Sequence, residues 1–313
     1  GLVGLNMNAP ITQGANTGVS AGGFADMTSL TKMGAGTVAM INADSNFTAN
    51  FILAGGSLMF GSNSVVDGLN NVLNGPIGTG SLVIEAGTAL LSDGTVRTIH
   101  NPVTVNGNFI FAGQLGGAGV TLAGPVSLGA TGRTINIPSL AVTTNLNGVL
   151  TSTAGAGLTG LTKTGNGTLK FGGTSSLSFG GAGLTVAGGL VQAGKAEQLP
   201  VDTLLTVNAG AGYDLLGFNQ ELNAIAGNGF ISNSGGNATT FTLNNAADVA
   251  FGGVLADNKA ISLTSTSELT LRKLGAGTLT LTGASTYFGA TNVDAGKIIV
   301  GNGGSLGTGA VAI

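Results

Sequence analysis

The chain has 313 residues, enough to bury a core as one large domain or two ordinary ones, and its composition is unusual for either: 7% charged residues, 58 glycines, 6 prolines, no tryptophan and no cysteine. A net charge of −3, with only ten scattered lysines and arginines, excludes a patch able to neutralise a run of phosphates, so no nucleic-acid partner is expected. The wealth of Val, Ile, Leu and Thr argues against disorder, and no apolar run nears the roughly 20 residues that span a bilayer, so no transmembrane segment is expected.

In chain order, residues 1–28 stand apart. They carry no charge before Asp26, and the alternation Val3, Leu5, Met7 predicts an extended strand seeking a partner, one that a neighbouring copy could supply. The chain begins at Gly1 without methionine or a visible signal peptide, which reads as a mature or trimmed product. From Leu30 the sequence "LTKMGAGTVAM" introduces Lys-x-Gly-x-Gly-Thr, which returns in "LTKTGNGTLKFGG" from Leu161 and "LRKLGAGTLTLTG" from Leu271. Each glycine pair (Gly34 and Gly36, Gly165 and Gly167, Gly275 and Gly277) is expected to make a tight corner where positive φ is tolerated, followed by a strand.

More strands are predicted in "NPVTVNGNFIFAG" from Asn101, "AGGLVQAG" from Ala187, "GTLTLTG" from Gly277 and "GKIIVGNGG" from Gly296. The best helical candidate is the short "GKAEQLP" from Gly194, closed by Pro200. The tail "GNGGSLGTGAVAI" has no charge and no proline and stops inside an alternating pattern. Short strands, glycine-rich turns and small residues between them predict an all-β chain. Its expected architecture is a right-handed parallel β-helix, a β-solenoid over 29–313 forming an elongated rod. At about 4.8 Å per coil and some 20–25 residues per coil, the rod would be on the order of 60 Å long.

Residues 157–194 and 271–307 resemble the autotransporter-associated β-strand repeat. Lys273, Gly275, Gly277, Thr278, Leu279, Leu281, Gly283, Tyr287, Gly289, Thr291, Val293 and Gly296 all fall on that pattern. The stretch "YDLLGFNQELNAIAGNGFISN" from Tyr213 resembles a second element found in the same proteins, whereas the first copy departs from the pattern after Thr37. The resemblance implies a passenger located outside a bacterium or on its outer-membrane surface. Such passengers serve as adhesins, surface fibres, scaffolds and occasionally enzymes, and usually end in a membrane β-barrel.

Several chemical motifs fail on inspection. "GGSLG" has the spelling of a nucleophile elbow at Gly303, Ser305 and Gly307, but the one histidine, His100, lies far away in sequence and no strand-to-helix context is evident. "GAGLTG" at Gly155, Gly157 and Gly160 lacks a following helix, and "GLVQAGKA" from Gly189 puts Ala196 where a phosphate loop needs Ser or Thr. One histidine builds no multi-histidine metal site, so neither metal nor cofactor is expected. A polysaccharide-cleaving site would need acids brought together by stacking, such as Asp202 with Asp214 or Glu221, beside Arg97, Arg133 or Arg272. No tryptophan and only two tyrosines offer poor sugar platforms. For Lys32, Lys163 and Lys273 the expected role is an apolar stem along a coil edge with its head in water.

The expected function is therefore that of a non-enzymatic surface structural protein. Its uncapped ends suit either a head-to-tail filament subunit or the interior of a longer passenger. The alternatives are a monomeric adhesin segment and, from another class, a polysaccharide-degrading enzyme on the same scaffold.

Overall fold

A computed structural model describes residues 5–7, 28–113, 117–152, 159–173, 177–178, 183–257 and 267–313. Among these residues there is no helix, and nearly all strand pairs are parallel, stacked as a β-solenoid of about 11 turns. At about 4.8 Å per turn the stack is about 53 Å long, close to the sequence estimate.

The central turns visit three faces. The first is a seven-stranded sheet running from Ser29–Lys32 to Leu177–Ser178, continued by five strands from Gln220–Leu222 to Val311–Ala312. The second is a ten-stranded sheet from Leu5–Met7 to Ala224–Gly227, continued by Val249–Phe251, Thr278–Leu281 and Lys297–Val300. The third has eight strands, from Arg97–Ile99 to Val254–Asp257. The strands anticipated in the sequence fall on these faces.

Register explains why short strands suffice. In a parallel sheet a side chain sits directly over its counterpart one turn earlier, so one apolar residue per turn builds a continuous column. Leu161 stacks on Leu184, then Leu205, then Ile225. On the third face Leu169, Val191, Tyr213, Ile231 and Leu255 do the same. All but Ile225 are fully enclosed, and each aliphatic side chain so buried contributes about 1.5–3 kcal/mol.

Two features depart from the regular stack. The helical candidate at Gly194 is a turn: Glu197 takes φ +49°, a left-handed conformation that a helix cannot contain. The first face has no strand there, which is where its two sheets separate. The other departure is an antiparallel hairpin, Val65–Val66 with Val72–Asn74. Asp67 closes it by accepting hydrogen bonds from the amides of Leu69 and Asn71 and from the Asn71 side chain.

Candidate functional sites: the lysine corners and the ends of the stack

The repeated Lys-x-Gly-x-Gly-Thr writes a cation into the core. Lys163 occupies an inward position, stacked between Ile135 and Val186, and is fully buried. Lys273 lies equally enclosed between Leu243 and Val293. The expectation that their heads reach water is overturned, because the stem follows the apolar column and the corner folds back over the ammonium group.

What receives the charge is backbone. Lys163 Nζ donates to the carbonyls of Gly165 at 2.6 Å and Gly188 at 2.9 Å, and also to that of Gly167. Lys32, half-buried in an outer coil, donates to Met33, Gly34 and Gly55 at 2.9, 2.7 and 2.8 Å. Lys273 donates to Gly275. Burial lowers all three lysines from their ordinary value, Lys163 to about 8, while the charge of Asp248 partly offsets the effect at Lys273. Lys163 and Lys32 each bond a glycine of the following turn, so each corner ties two coils together.

The corner glycines serve this arrangement differently. Gly34 and Gly165 are left-handed, with φ of 74° and 76°. Gly275 is not left-handed, but a Cβ there would stand 2.1 Å from the Asn245 carbonyl of the preceding turn. Their partners Gly167 and Gly277 are likewise pressed against the coil below, and Gly36 accepts a hydrogen bond from Ser57 of the next coil. The corners do not line up as one stripe. Lys32 and Lys273 turn the chain from first to second face, and Lys163 from second to third.

The sequence analysis missed the other half of each corner. About one coil after each lysine comes a small-residue turn: Ala54-Gly55-Gly56, Ala187-Gly188-Gly189 and Asp294-Ala295-Gly296. Gly56, Gly189 and Gly296 are left-handed, and a Cβ at Gly189 or Gly296 would stand 2.5 or 2.9 Å from the ammonium nitrogen of Lys163 or Lys273. The coil-length spacing between each lysine and a later Gly-Gly or Ala-Gly step was the available signal.

The acids and arginines do not converge. Arg97 pairs with Asp93, and Arg272 with Asp294, each at 2.5 Å, while Arg133 donates to the Val105 carbonyl and to Thr131. Glu221 meets Glu197, 24 residues earlier: its amide donates to Glu197 Oε2 at 2.8 Å. Burial raises the Glu197 carboxyl, against the lowering effect of the Glu221 amide, with a smaller raising contribution from the Glu221 charge. Asp214 is buried and receives Gln192, Ser234 and the amides of Leu216 and Ser234, whereas Asp202 is exposed. Among the described residues no three His, Cys, Asp or Glu side chains form a possible metal cluster.

The discarded motifs have structural roles. Ser305 forms a bridge with Ala284 and donates to the Ser285 carbonyl at 3.0 Å. His100, lowered by burial, sits at a corner beside Asn101, whose amide donates to Gly78 and Gly80. Gly155 and Gly157 lie outside the described residues.

Among the described residues, the outermost strands at the two ends of the stack lie on different faces. Leu5–Met7 pairs in parallel with Val38–Met40 and forms the lowest rung of the second face, while Val3 lies outside the described residues. Among the described residues, no first-face strand accompanies that rung. At the far end Val311–Ala312 pairs with Thr291 and Asn292 as the top rung of the first face, and among the described residues no second-face strand accompanies it there. The second face ends one turn lower, at Lys297–Val300. The far rim is apolar and open: Val300, Val311 and Ile313 are 44, 52 and 102% exposed, around a hollow of about 300 Å³ that Val293, Ile298 and Leu306 also line.

The family description of the passenger-associated-transport-repeat matches residues 161–193 and 271–300. The two segments span the Lys163 and Lys273 corners together with the coil that closes each. Neither a curated protein nor a solved structure gives a match to this chain. The chain is a β-solenoid in which two regions match the passenger-associated-transport-repeat, consistent with an autotransporter passenger repeat protein.

Proposed function

We propose that this chain is a structural segment of a bacterial outer surface and that copies of it stack head to tail into a filament. The observation that supports it is that, among the described residues, the outermost strand is on the second face at one end and on the first face at the other. The rung Leu5–Met7 of one copy would sit beside Val311–Ala312 of another and rest on Lys297–Val300, giving one complete turn and a continuous second face. Val300, Val311 and Ile313 would then be covered. Such a heterologous contact does not close on itself and yields an open fibre. A further coil of the same polypeptide would meet the same edges, which makes the interior of a longer passenger the companion reading.

Negative-stain electron microscopy with light scattering distinguishes them. Filaments with an axial repeat near the rod length, about 53 Å by stacking, are expected. V311K/I313K should reduce them to single rods, as should removal of residues 1–28. Uniform monomers of the unaltered chain at every concentration would end the filament reading.

A second reading, a monomeric adhesin segment, draws on the hairpin at Val65–Asn74, where Leu69 is 83% and Leu73 54% exposed. It predicts that replacing both leucines with serine abolishes surface attachment without altering the rod. The polysaccharide-cleaving reading gains no support from the arginines, two of which are held by their own local aspartates.

A further inference from the structure

The second face carries a ladder of threonines. Thr134, Thr162, Thr185 and Thr206 pair in register over four successive turns, all half-exposed and pointing outward. Their strand neighbours Ile135, Lys163, Val186 and Val207 point inward and are fully buried. None of the four hydroxyls is engaged by another described residue. The ladder lies in a longer neutral surface. Below it the outward residues include Met59 and Ile110, above it Ala226, Ala250 and Thr280, and none of the outward side chains from Ser57 to Thr280 is charged. Arg133, which shares a strand with Thr134, turns toward the first face to donate to the Val105 carbonyl.

We infer that this face is the interface for a second copy of the chain, lying side by side with the first, threonine ladder against threonine ladder. Three properties select that occupant. A threonine hydroxyl both donates and accepts, so a threonine column is complementary to its own copy, which a column of one charge is not. Rungs repeat at about 4.8 Å, and a partner engages every rung at once only if its surface repeats at the same interval, as another copy's does. The ten second-face rungs from Ser57–Phe60 to Thr278–Leu281 offer a strip about 43 Å long and about 13 Å wide, or about 560 Å² from each copy. The total of about 1,100 Å² is at the low end for a specific interface, so a lone pair is weak while aligned filaments bind many times over.

This pairing does not depend on end stacking, and the test separates the two. In a V311K/I313K background, sedimentation equilibrium up to about 1 mM should show reversible dimers. T162E/T185E places two adjacent charges on the ladder and should weaken dimerisation at least about tenfold. T151E/S178E places the same pair on adjacent rungs of the first face, and should leave dimerisation unchanged at equal fold stability. If the ladder variant fails to fold, Thr185→Arg alone serves the same purpose. A strictly monomeric background protein, or equal loss from both double variants, would overturn the inference.

Discussion

Lys163 Nζ donates to the carbonyl of Gly188 at 2.9 Å, joining one turn of the solenoid to the next from inside the core. A buried ammonium ion usually finds a carboxylate; this one is met by the backbone carbonyls of two consecutive glycine turns. Solvation by fixed dipoles reduces the cost of burying charge and makes the corner sensitive to anything that removes the donor.

Truncating that donor should therefore destabilise by two separable amounts. Lys163→Ala removes the stem from the column between Ile135 and Val186 and orphans the carbonyls, an expected loss of about 3–5 kcal/mol. Lys163→Met keeps the stem and orphans the carbonyls, an expected loss of about 1–3 kcal/mol. Urea unfolding measures both, and a Met variant as stable as the parent would mean that the ammonium contributes nothing.

Stability should rise with pH above neutrality. Lys163 releases its proton near pH 8 when folded but near its ordinary 10.5 when unfolded, so between these values the unfolded chain binds more protons and folding gains. The gain is on the order of 3 kcal/mol from this residue alone. Lys32 and Lys273 shift in the same direction. The buried hydroxyl of Tyr213 opposes them only above its ordinary 10.0, because its ionisation is raised in the fold. Melting curves from pH 7.5 to pH 10 test this, and Lys163→Met should flatten the slope.

Glycines at left-handed positions should separate into two grades. At Gly189 a Cβ would lie 2.4 Å from the Gly167 carbonyl and 2.5 Å from Lys163 Nζ, whereas at Gly210 nothing stands within 4 Å. Gly210→Ala thus costs only the backbone strain, about 1–2 kcal/mol. Gly189→Ala adds displacement of the lysine collar and should cost several kcal/mol more. Equal losses in thermal unfolding would contradict the collar's rigidity.

Asn245 offers a neutral version of the same device. Its Nδ2 donates to the carbonyls of Ala247 at 2.7 Å and Thr278 at 3.0 Å. Asn245→Asp replaces a donor with a charged acceptor facing two acceptors, with an expected loss of about 2–4 kcal/mol at pH 7. That carboxyl would be raised by its surroundings, so part of the loss should return as the pH falls toward 4 and it protonates. Unfolding measured at both values decides it.

The sequence by itself determined the all-β class, the solenoid and most strands. Short aliphatic alternations between glycines admit few other ways to bury apolar surface, and the two later repeats spell out their corners. It did not place Lys163 in the core: the same stem can lie along an edge or within a column, and only register with Ile135 and Val186 decides which. The turn at Glu197 looked helical because Lys-Ala-Glu-Gln are good helix formers. Stacking on the neighbouring turns overrode that local preference. The threonine ladder is also a tertiary property. Thr134, Thr162, Thr185 and Thr206 are separated by unequal stretches of chain, and only the length of each coil brings them onto one line.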